Sequence, residues 1–560
     1  MDGTTGRLFR EFSIVVSGSV IISSFAALTF TPMLATKLLI KREQQSWFYR
    51  KTEPFFEGMN RVYSQSLAAF LKRRWIALPF TIVTILLIGV LWNTIPAEMA
   101  PLEDRSQISI NTMGAEGVTY EYIRDYTEDI NHLVDSIIPD AEAVTARVSS
   151  GSGNVRITLK DMKDRDYTQM EVAEKLSKAV QKKTMARSFV QQSSSFGGRR
   201  GGMPVQYVLQ ATNIEKLQEV LPKFMTKVYE NPVFQMADVN LKFSKPEARI
   251  NINRDKASIM GVSTKNIAQT LQYGLSGQRM GYFYMNGKQY EILAEINRQQ
   301  RNKPADLKGI YIRSDNGNMV QLDNLIELTG GIAPPKLYRY NRFVSATISA
   351  GLADGKTIGQ GLDEMDKIAK ETLDETFRTA LTGDSKEYRE SSSSLMFAFI
   401  LAIVLIYLIL AAQFESFKDP LIIMLTVPLA IAGALVFMYF GDITMNIFSQ
   451  IGIIMLIGLV AKNGILIVEF ANQKQEAGED KMRAIKDASL QRLRPILMTS
   501  ASTILGLIPL AFATGEGCNQ RIAMGTAVVG GMLISTLLTM YIVPAIYSYV
   551  STNRSKLKTE

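Results

Sequence analysis

One cysteine, Cys518, and one histidine, His132, serve the whole of this 560-residue chain. A lone cysteine forms no internal disulfide framework and no thiolate metal cluster. A lone histidine argues against a His-based zinc site or catalytic site. No nucleophile–base pair or metal constellation stands out, so an enzyme is the weakest reading. His132 falls on a helix of polar character and reads as a solvated side chain, and Cys518 has no resolving partner. The sequence also opens without the pattern of a secretory signal peptide. Met1 is followed by Asp-Gly-Thr-Thr-Gly, and the first apolar run is long enough to span a bilayer. A mean hydropathy of +0.05 is too low for a chain lying wholly within a membrane. The formal charge of +9 is modest, so its placement matters more than its size.

What is present is a mixture of long apolar blocks and an ordinary polar stretch of roughly 300 residues, as in a membrane domain carrying a large extramembrane domain. A spanning helix needs about 20 mostly apolar residues, and about seven segments qualify. They are 12–39, 76–95, 394–413, 420–440, 447–471, 495–514 and 523–550. Basic residues in short loops set the orientation. Lys41, Arg42, Arg50, Lys51, Arg61, Lys72, Arg73 and Arg74 place the segment after the first span in the cytoplasm. Trp47, Phe48, Phe55, Phe56, Met59 and Leu67 make it an amphipathic helix along the membrane surface. Region 97–392 then lies outside the cytoplasm. The loop 472–494, with Lys474, Lys481, Arg483, Lys486, Arg492 and Arg494, returns inside, as does the tail with Arg554, Lys556 and Lys558. The expected organisation is 1–40 span, 41–75 cytoplasmic amphipathic helix, 76–96 span, 97–392 extramembrane domain, 393–550 five-span bundle and 551–560 cytoplasmic tail.

Within 97–392, Gln107–Thr112 and Val205–Gln210 have strand character, while Tyr120–Ile138, Thr168–Gln181 and Ile214–Tyr229 have helical periodicity. Strands near 247–253 and 343–349 and a helix near 357–373 follow. Such strand–helix–strand units predict small α/β sandwiches with mixed sheets. Ser193–Pro204, rich in glycine and serine, reads as a flexible loop. It lacks the Gly-Lys-Ser/Thr and following helix of a phosphate-binding loop.

Lys462 carries the chemistry. It lies well inside its span, with about fifteen residues on one side and about nine on the other. A central lysine costs on the order of 2.5–3.5 kcal/mol on insertion scales, and snorkelling relieves it only near a helix end. Such a charge normally faces a bundle interior and pairs with an acid, for function or as a structural ion pair. Glu469 is about two turns away, and Glu415 and Asp419 lie in a loop. No Asp or Glu occupies the middle of any span. Either the lysine is neutral, or its partner lies on a helix outside this sequence. The next span adds Thr499, Ser500, Ser502 and Thr503, preceded by Arg492 and Arg494. Thr499 could approach Lys462 across a helix contact. Alternatively, these hydroxyls bond back to their own helix and the arginines anchor its end. Gly525, Gly530 and Gly531 predict close helix packing.

At these residues the sequence resembles the hydrophobe/amphiphile efflux branch of the RND superfamily, the acriflavine-resistance type of permease. The motifs are Gly458-Leu-Val-Ala-Lys-Asn-Gly-Ile-Leu-Ile-Val-Glu-Phe-Ala471, Arg492-Leu-Arg-Pro-Ile-Leu-Met-Thr-Ser500, Ala411-Ala-Gln-Phe-Glu-Ser-Phe417, Val427-Pro-Leu-Ala430 and Gly525-Thr-Ala-Val-Val-Gly-Gly-Met532. Members consist of two repeats, each one span, a periplasmic domain and five spans. This chain looks like the last span of the first repeat plus all of the second, with Gly3–Phe12 resembling an internal segment. The resemblance implies an α-helical membrane bundle and a periplasmic α/β domain of ferredoxin-like porter subdomains, with a docking subdomain inserted near 250–330.

It also implies roles. Lys462 matches the lysine that pairs with two aspartates of the first repeat, and Thr499 and Arg492 match other members of the proton relay. Alone, this chain should not couple protons to transport. The expected protein is a proton antiporter and multidrug-resistance exporter in the bacterial inner membrane. It would be a homotrimer working with a periplasmic adaptor (membrane fusion) protein and an outer-membrane channel on hydrophobic or amphiphilic substrates. No cofactor beyond the proton-motive force and no nucleic acid are expected. Drug exporters line a deep pocket with phenylalanines and a flexible loop. Here the counterpart, Ser149-Ser-Gly-Ser-Gly-Asn154 with Arg156 nearby, is short and polar. Two alternatives stay open. A non-transporting membrane scaffold would suit an unpartnered Lys462. A heavy-metal exporter would use some of the 26 methionines, although these are scattered as core filler would be.

Overall fold

The structure is a computed structural model describing residues 3–38, 47–192, 203–334, 336–353 and 355–552. The loop expected at Ser193–Pro204 falls mostly outside the described residues, as do Lys41, Arg42 and the basic tail. The chain divides into two compact units. One comprises Met1–Met113, Ile123–Asn240 and Arg339–Glu560, and the other Gly114–Tyr122 and Leu241–Tyr338.

In the first unit, helix α1 (Gly3–Leu38) is followed by α2 (Trp47–Lys72) and α3 (Ala77–Thr94). Apolar residues of α2 at helical spacing form its packed face: Tyr63, Leu67 and Leu71 are buried, and Tyr63 Oη donates to the Met540 carbonyl at 2.6 Å. After α3, Glu98 accepts a hydrogen bond from Thr444 Oγ1, and burial pushes its carboxyl above the usual range.

Next come β1 (Gln107–Met113), α4 (Tyr120–Ile137), β2 (Ala143–Ser149), β3 (Ser152–Thr158), α5 (Gln169–Val180) and β4 (Arg187–Gln192). The sheet order is β2-β3-β1-β4, the ferredoxin-like arrangement. Ile123, Tyr126, Ile130 and Val134 recur on one face of α4 and meet Ile108, Ile110, Val155 and Ile157 in a common core. A capping box, Thr168 with Glu171, fixes the start of α5.

A second sheet begins with β5 (Val205–Ala211), α6 (Ile214–Glu230) and β6 (Phe234–Val239). The chain then enters the second unit. There β7 (Lys245–Ile252) is followed by α7 (Arg254–Ile259), α8 (Thr264–Leu275) and the hairpin β8 (Gln278–Met285)–β9 (Lys288–Ala294). The hairpin turns through Asn286 and Gly287, at φ 53° and 72°, the two positive φ values of a type I′ turn. Short β10 (Tyr311–Arg313) and β11 (Met319–Gln321) pair together, and β12 (Ile326–Ala333) pairs with β7 over a small core of Ala257, Val262, Ile267, Ile312, Leu322 and Leu325. Within this unit Arg298 forks onto Glu121 and holds its carboxyl down at about 2.

The chain returns through β13 (Arg339–Tyr340), β14 (Phe343–Leu352), α9 (Ile358–Thr372) and β15 (Arg378–Leu381). These complete the second sheet, in which β15, β5, β14 and β6 reproduce the order of the first. Every pairing in both sheets is antiparallel, which corrects the expectation of mixed sheets. Each strand–helix–strand crossover skips one position, and an antiparallel strand fills the gap.

The remaining helices are α10 (Gly383–Phe414), α11 (Lys418–Met424), α12 (Thr426–Phe440), α13 (Ile447–Glu476), α14 (Lys481–Ala511) and α15 (Cys518–Val550). Counting α11 and α12 as one, seven helical segments among the described residues are long and apolar enough to cross a membrane. The span expected at 420–440 is broken at Leu425, because Pro428 has no N–H to donate to the Met424 carbonyl. The basic loop expected at 472–494 shrinks to a turn. Helix continues because Ala484, Ile485 and Ala488 are buried on one side while the charges stand on the other. Helix α15 packs at backbone distance. A methyl at Gly525 would lie 2.5 Å from Ala511 N, and one at Gly530 would overlap Phe437.

Candidate functional site

Helix α13 starts where Asn446 accepts from the backbone N–H of Phe448 and Ser449, in a capping box with Ser449. The apolar run 451–461 then carries it to Lys462, which is half-buried. Lys462 Nζ donates to Thr503 Oγ1 of α14 at 3.3 Å. The Thr503 hydroxyl in turn donates to the Thr499 carbonyl at 2.8 Å, so the lysine meets a lone pair. Among the described residues, Lys462 makes no ion pair with a carboxylate.

The other residues singled out from sequence lie nearby in different roles. The Thr499 hydroxyl donates to the Ile496 carbonyl at 3.1 Å, bonding back to its own helix. Thr499 is thus tied to Lys462 through its carbonyl and Thr503 rather than through its hydroxyl. Arg492 lies over the Phe470 ring, its guanidinium carbon 4.3 Å from the centroid, and its Nε is buried with no partner among the described residues. Glu469, two turns on from Lys462, accepts from Gln473 at 3.0 Å.

One position beyond Lys462, Asn463 turns into the bundle. Its Nδ2 donates to Ser500 Oγ and Thr536 Oγ1, each at 3.3 Å, and Thr536 donates to Ser500 at 3.2 Å. All three are buried, so α13, α14 and α15 are stitched together at the level of the lysine. Asn463 Oδ1 is buried without a partner among the described residues. Sequence reading passed over Asn463 and Thr536. The available signal was an amide beside the lysine and a hydroxyl within an apolar span.

The side of α14 that Lys462 reaches is open. Met498 and Leu505 are 59% and 65% exposed, and Thr499 is exposed between them. The lysine therefore sits at an edge of the bundle, where a group from another helix can meet it.

Comparison with known proteins matches residues 1–551 to one family, described as AcrB/AcrD/AcrF. The chain belongs to that family. An AcrB/AcrD/AcrF-family protein is an RND transporter rather than a member of an enzyme family, and this one is multi-pass. A relative from Haemophilus influenzae, named only as an uncharacterized transporter, is 30% identical across the whole of this chain. The match covers 55% of that relative, so the chain spans about half the length of the curated relative it matches.

Proposed function

We propose that this chain is the C-terminal half of a proton-driven efflux pump. The pump exports hydrophobic or amphiphilic compounds from the bacterial inner membrane and periplasm. The observation that carries the reading is Lys462: a cation inside an apolar span, held by one neutral hydroxyl, at an open edge of the bundle. A carboxylate on a helix of the first half would complete it there. While that acid is ionised it holds the ammonium. Once protonated it releases the ammonium, leaving Thr503 Oγ1 as the acceptor at hand. The stitching through Asn463, Ser500 and Thr536 would pass the resulting shift of α13 to α14 and α15. Thr499 and Arg492 belong to the same relay in this reading, and the proton-motive force supplies the energy without a cofactor. Assembly as a homotrimer with a periplasmic adaptor and an outer-membrane channel completes the proposal.

The test is Lys462→Ala in the transporter expressed from its native locus, with amount followed by a C-terminal antibody. Export should fall to background at unchanged abundance. Export that persists at the wild-type rate would overturn the proton-coupled reading and favour a scaffold.

A further inference from the structure

Four spans bring their ends together in one cluster of cations at a single boundary of the membrane. Three of them open there, at Arg74, Lys418 and Lys481, and the last closes there at Val550. Arg74 Nη1 donates to Ser548 Oγ at 3.2 Å and approaches Met482 Sδ at 3.7 Å. Its guanidinium carbon lies 4.4 Å from the centroid of the Tyr549 ring. Lys481 Nζ donates to the Ser551 carbonyl at 2.5 Å, at the end of α15. Arg74 and Lys418 are both close enough to act on the Lys481 charge. By the placement of basic residues, this boundary is the cytoplasmic one.

Basic residues at span ends are ordinary, and most of them simply stand in water or among headgroups. Three features set this cluster apart. First, it is built. Arg74 and Lys481 are half-buried and held by α15, so a ligand need not order them. Second, what holds them is neutral. Among the described residues Arg74, Lys418 and Lys481 make no ion pair with a carboxylate. Asp419, the acid beside them, is buried and bound to Asn472 at 3.1 Å. Three cations so gathered repel one another, and a phosphate relieves the repulsion while taking charge-assisted hydrogen bonds. Third, the cluster stands at the head of an apolar track. Trp75 is 64% exposed, and Leu78, Ile82 and Ile85 continue its face of α3 at helical spacing, all exposed. A free anion has no use for that track, whereas a lipid has a headgroup for the cations and a hydrocarbon for the helix.

We propose that this cluster binds an anionic phospholipid of the leaflet it faces. The phosphate lies among Arg74, Lys418 and Lys481, the glycerol level lies beside Trp75 and Tyr549, and an acyl chain runs along Leu78, Ile82 and Ile85. The site stands whether or not the chain takes part in export.

Tryptophan fluorescence tests this in the full chain, held in phosphatidylcholine nanodiscs doped with brominated-chain lipid. Trp47→Phe/Trp92→Phe leaves Trp75 as reporter at the cluster. Trp47→Phe/Trp75→Phe leaves Trp92, about 25 Å along α3 near the opposite boundary. Brominated phosphatidylglycerol should quench Trp75 as though enriched at least about fivefold over brominated phosphatidylcholine, the worth of one cation near a charged lipid. At Trp92 the two lipids should quench alike. Arg74→Gln/Lys481→Gln should bring the ratio at Trp75 to within about twofold of unity. Lys418 is exposed, so Lys418→Gln spares the fold and decides the matter should the double variant melt early; it should lower the ratio by at least about twofold. Arg61→Gln/Arg483→Gln removes equal charge from exposed positions on the same side and should leave the ratio unchanged. Equal enrichment at both tryptophans would overturn the proposal, as would enrichment that survives the cluster substitutions or falls as far in the Arg61/Arg483 variant. So would reversal by inorganic phosphate at constant ionic strength, since a free anion would then suffice.

Discussion

Helix α13 carries two polar sites ten residues apart, about 15 Å along its axis, and they are finished differently. At Asn472 this chain supplies partners to both ends of the amide. The amide donates to Asp419 Oδ2 at 3.1 Å and accepts from Tyr547 Oη at 2.5 Å, while Gln475 donates to Tyr547 at 2.7 Å. All four side chains are at most 2% exposed, and they bind α11, α13 and α15 into one piece. At Lys462 a full charge has one neutral hydroxyl and an open flank. A buried polar group normally finds its partners within the fold, because an unmet one is expensive. A closed network holds helices together, whereas a charge left half-answered is poised to be answered by something that comes and goes.

Substitutions should split the two sites by readout. The largest effect expected is on Lys462→Ala, which abolishes export in the native transporter yet leaves unfolding unchanged or slightly harder. Thermal unfolding measured beside the transport assay checks both halves. Gly530→Ala, which forces a methyl against Phe437, should lower stability by about 1–3 kcal/mol and reduce abundance and export together. Asn472→Ala should cost about 1–2 kcal/mol by the same measurement, with activity per folded molecule retained. A pure loss of export from Asn472→Ala at full stability would erase the distinction.

A smaller version of the contrast appears outside the spans. Glu98 is half-buried against Thr444 and desolvation pushes its carboxyl up; Glu121, also half-buried, is forked by Arg298 and held down at about 2. For Glu98 the raised value means that its contribution is present below the ordinary carboxylate range. That contribution is lost as pH rises through the folded value, and Glu98→Gln should remove the slope in a pH series of melting points. For Glu121 the sign reverses. The contact is present above the ordinary value and is lost as pH falls toward about 2. Arg298→Gln should return the Glu121 titration, followed by carboxyl NMR, toward the usual range.

Much of the fold was legible because periodicity and hydropathy report directly on burial. Strand Gln107–Met113 and helices Tyr120–Ile137 and Ile214–Glu230 lie within a residue or so of their expected bounds. The antiparallel pairing was not legible, since whether a crossover skips a strand depends on contacts far apart in sequence. Helix α14 was read as starting at 495 rather than Lys481 because hydropathy sees its charged side and misses the buried Ala484 and Ile485. At the site, Lys462 announced itself by placing a charge among apolar residues. That its acceptor is Thr503 depends on the rotation of α13 against α14. The knot around Asn472 was invisible because its four members come from three helices.

The second sheet holds one more consequence. Strands β6 and β13 both pair with the same edge of β14, at Ile348–Leu352 and Phe343–Val344, and Asn240 still bonds Thr347 as the chain leaves. Departure and return are thus about 14 Å apart on one strand, a gap that a handful of residues can bridge. The segment from Leu241 to Tyr338 is written into the sheet as a parenthesis. The sentence around it stays grammatical whatever the parenthesis says, because both of its ends are fixed by one strand of the sheet.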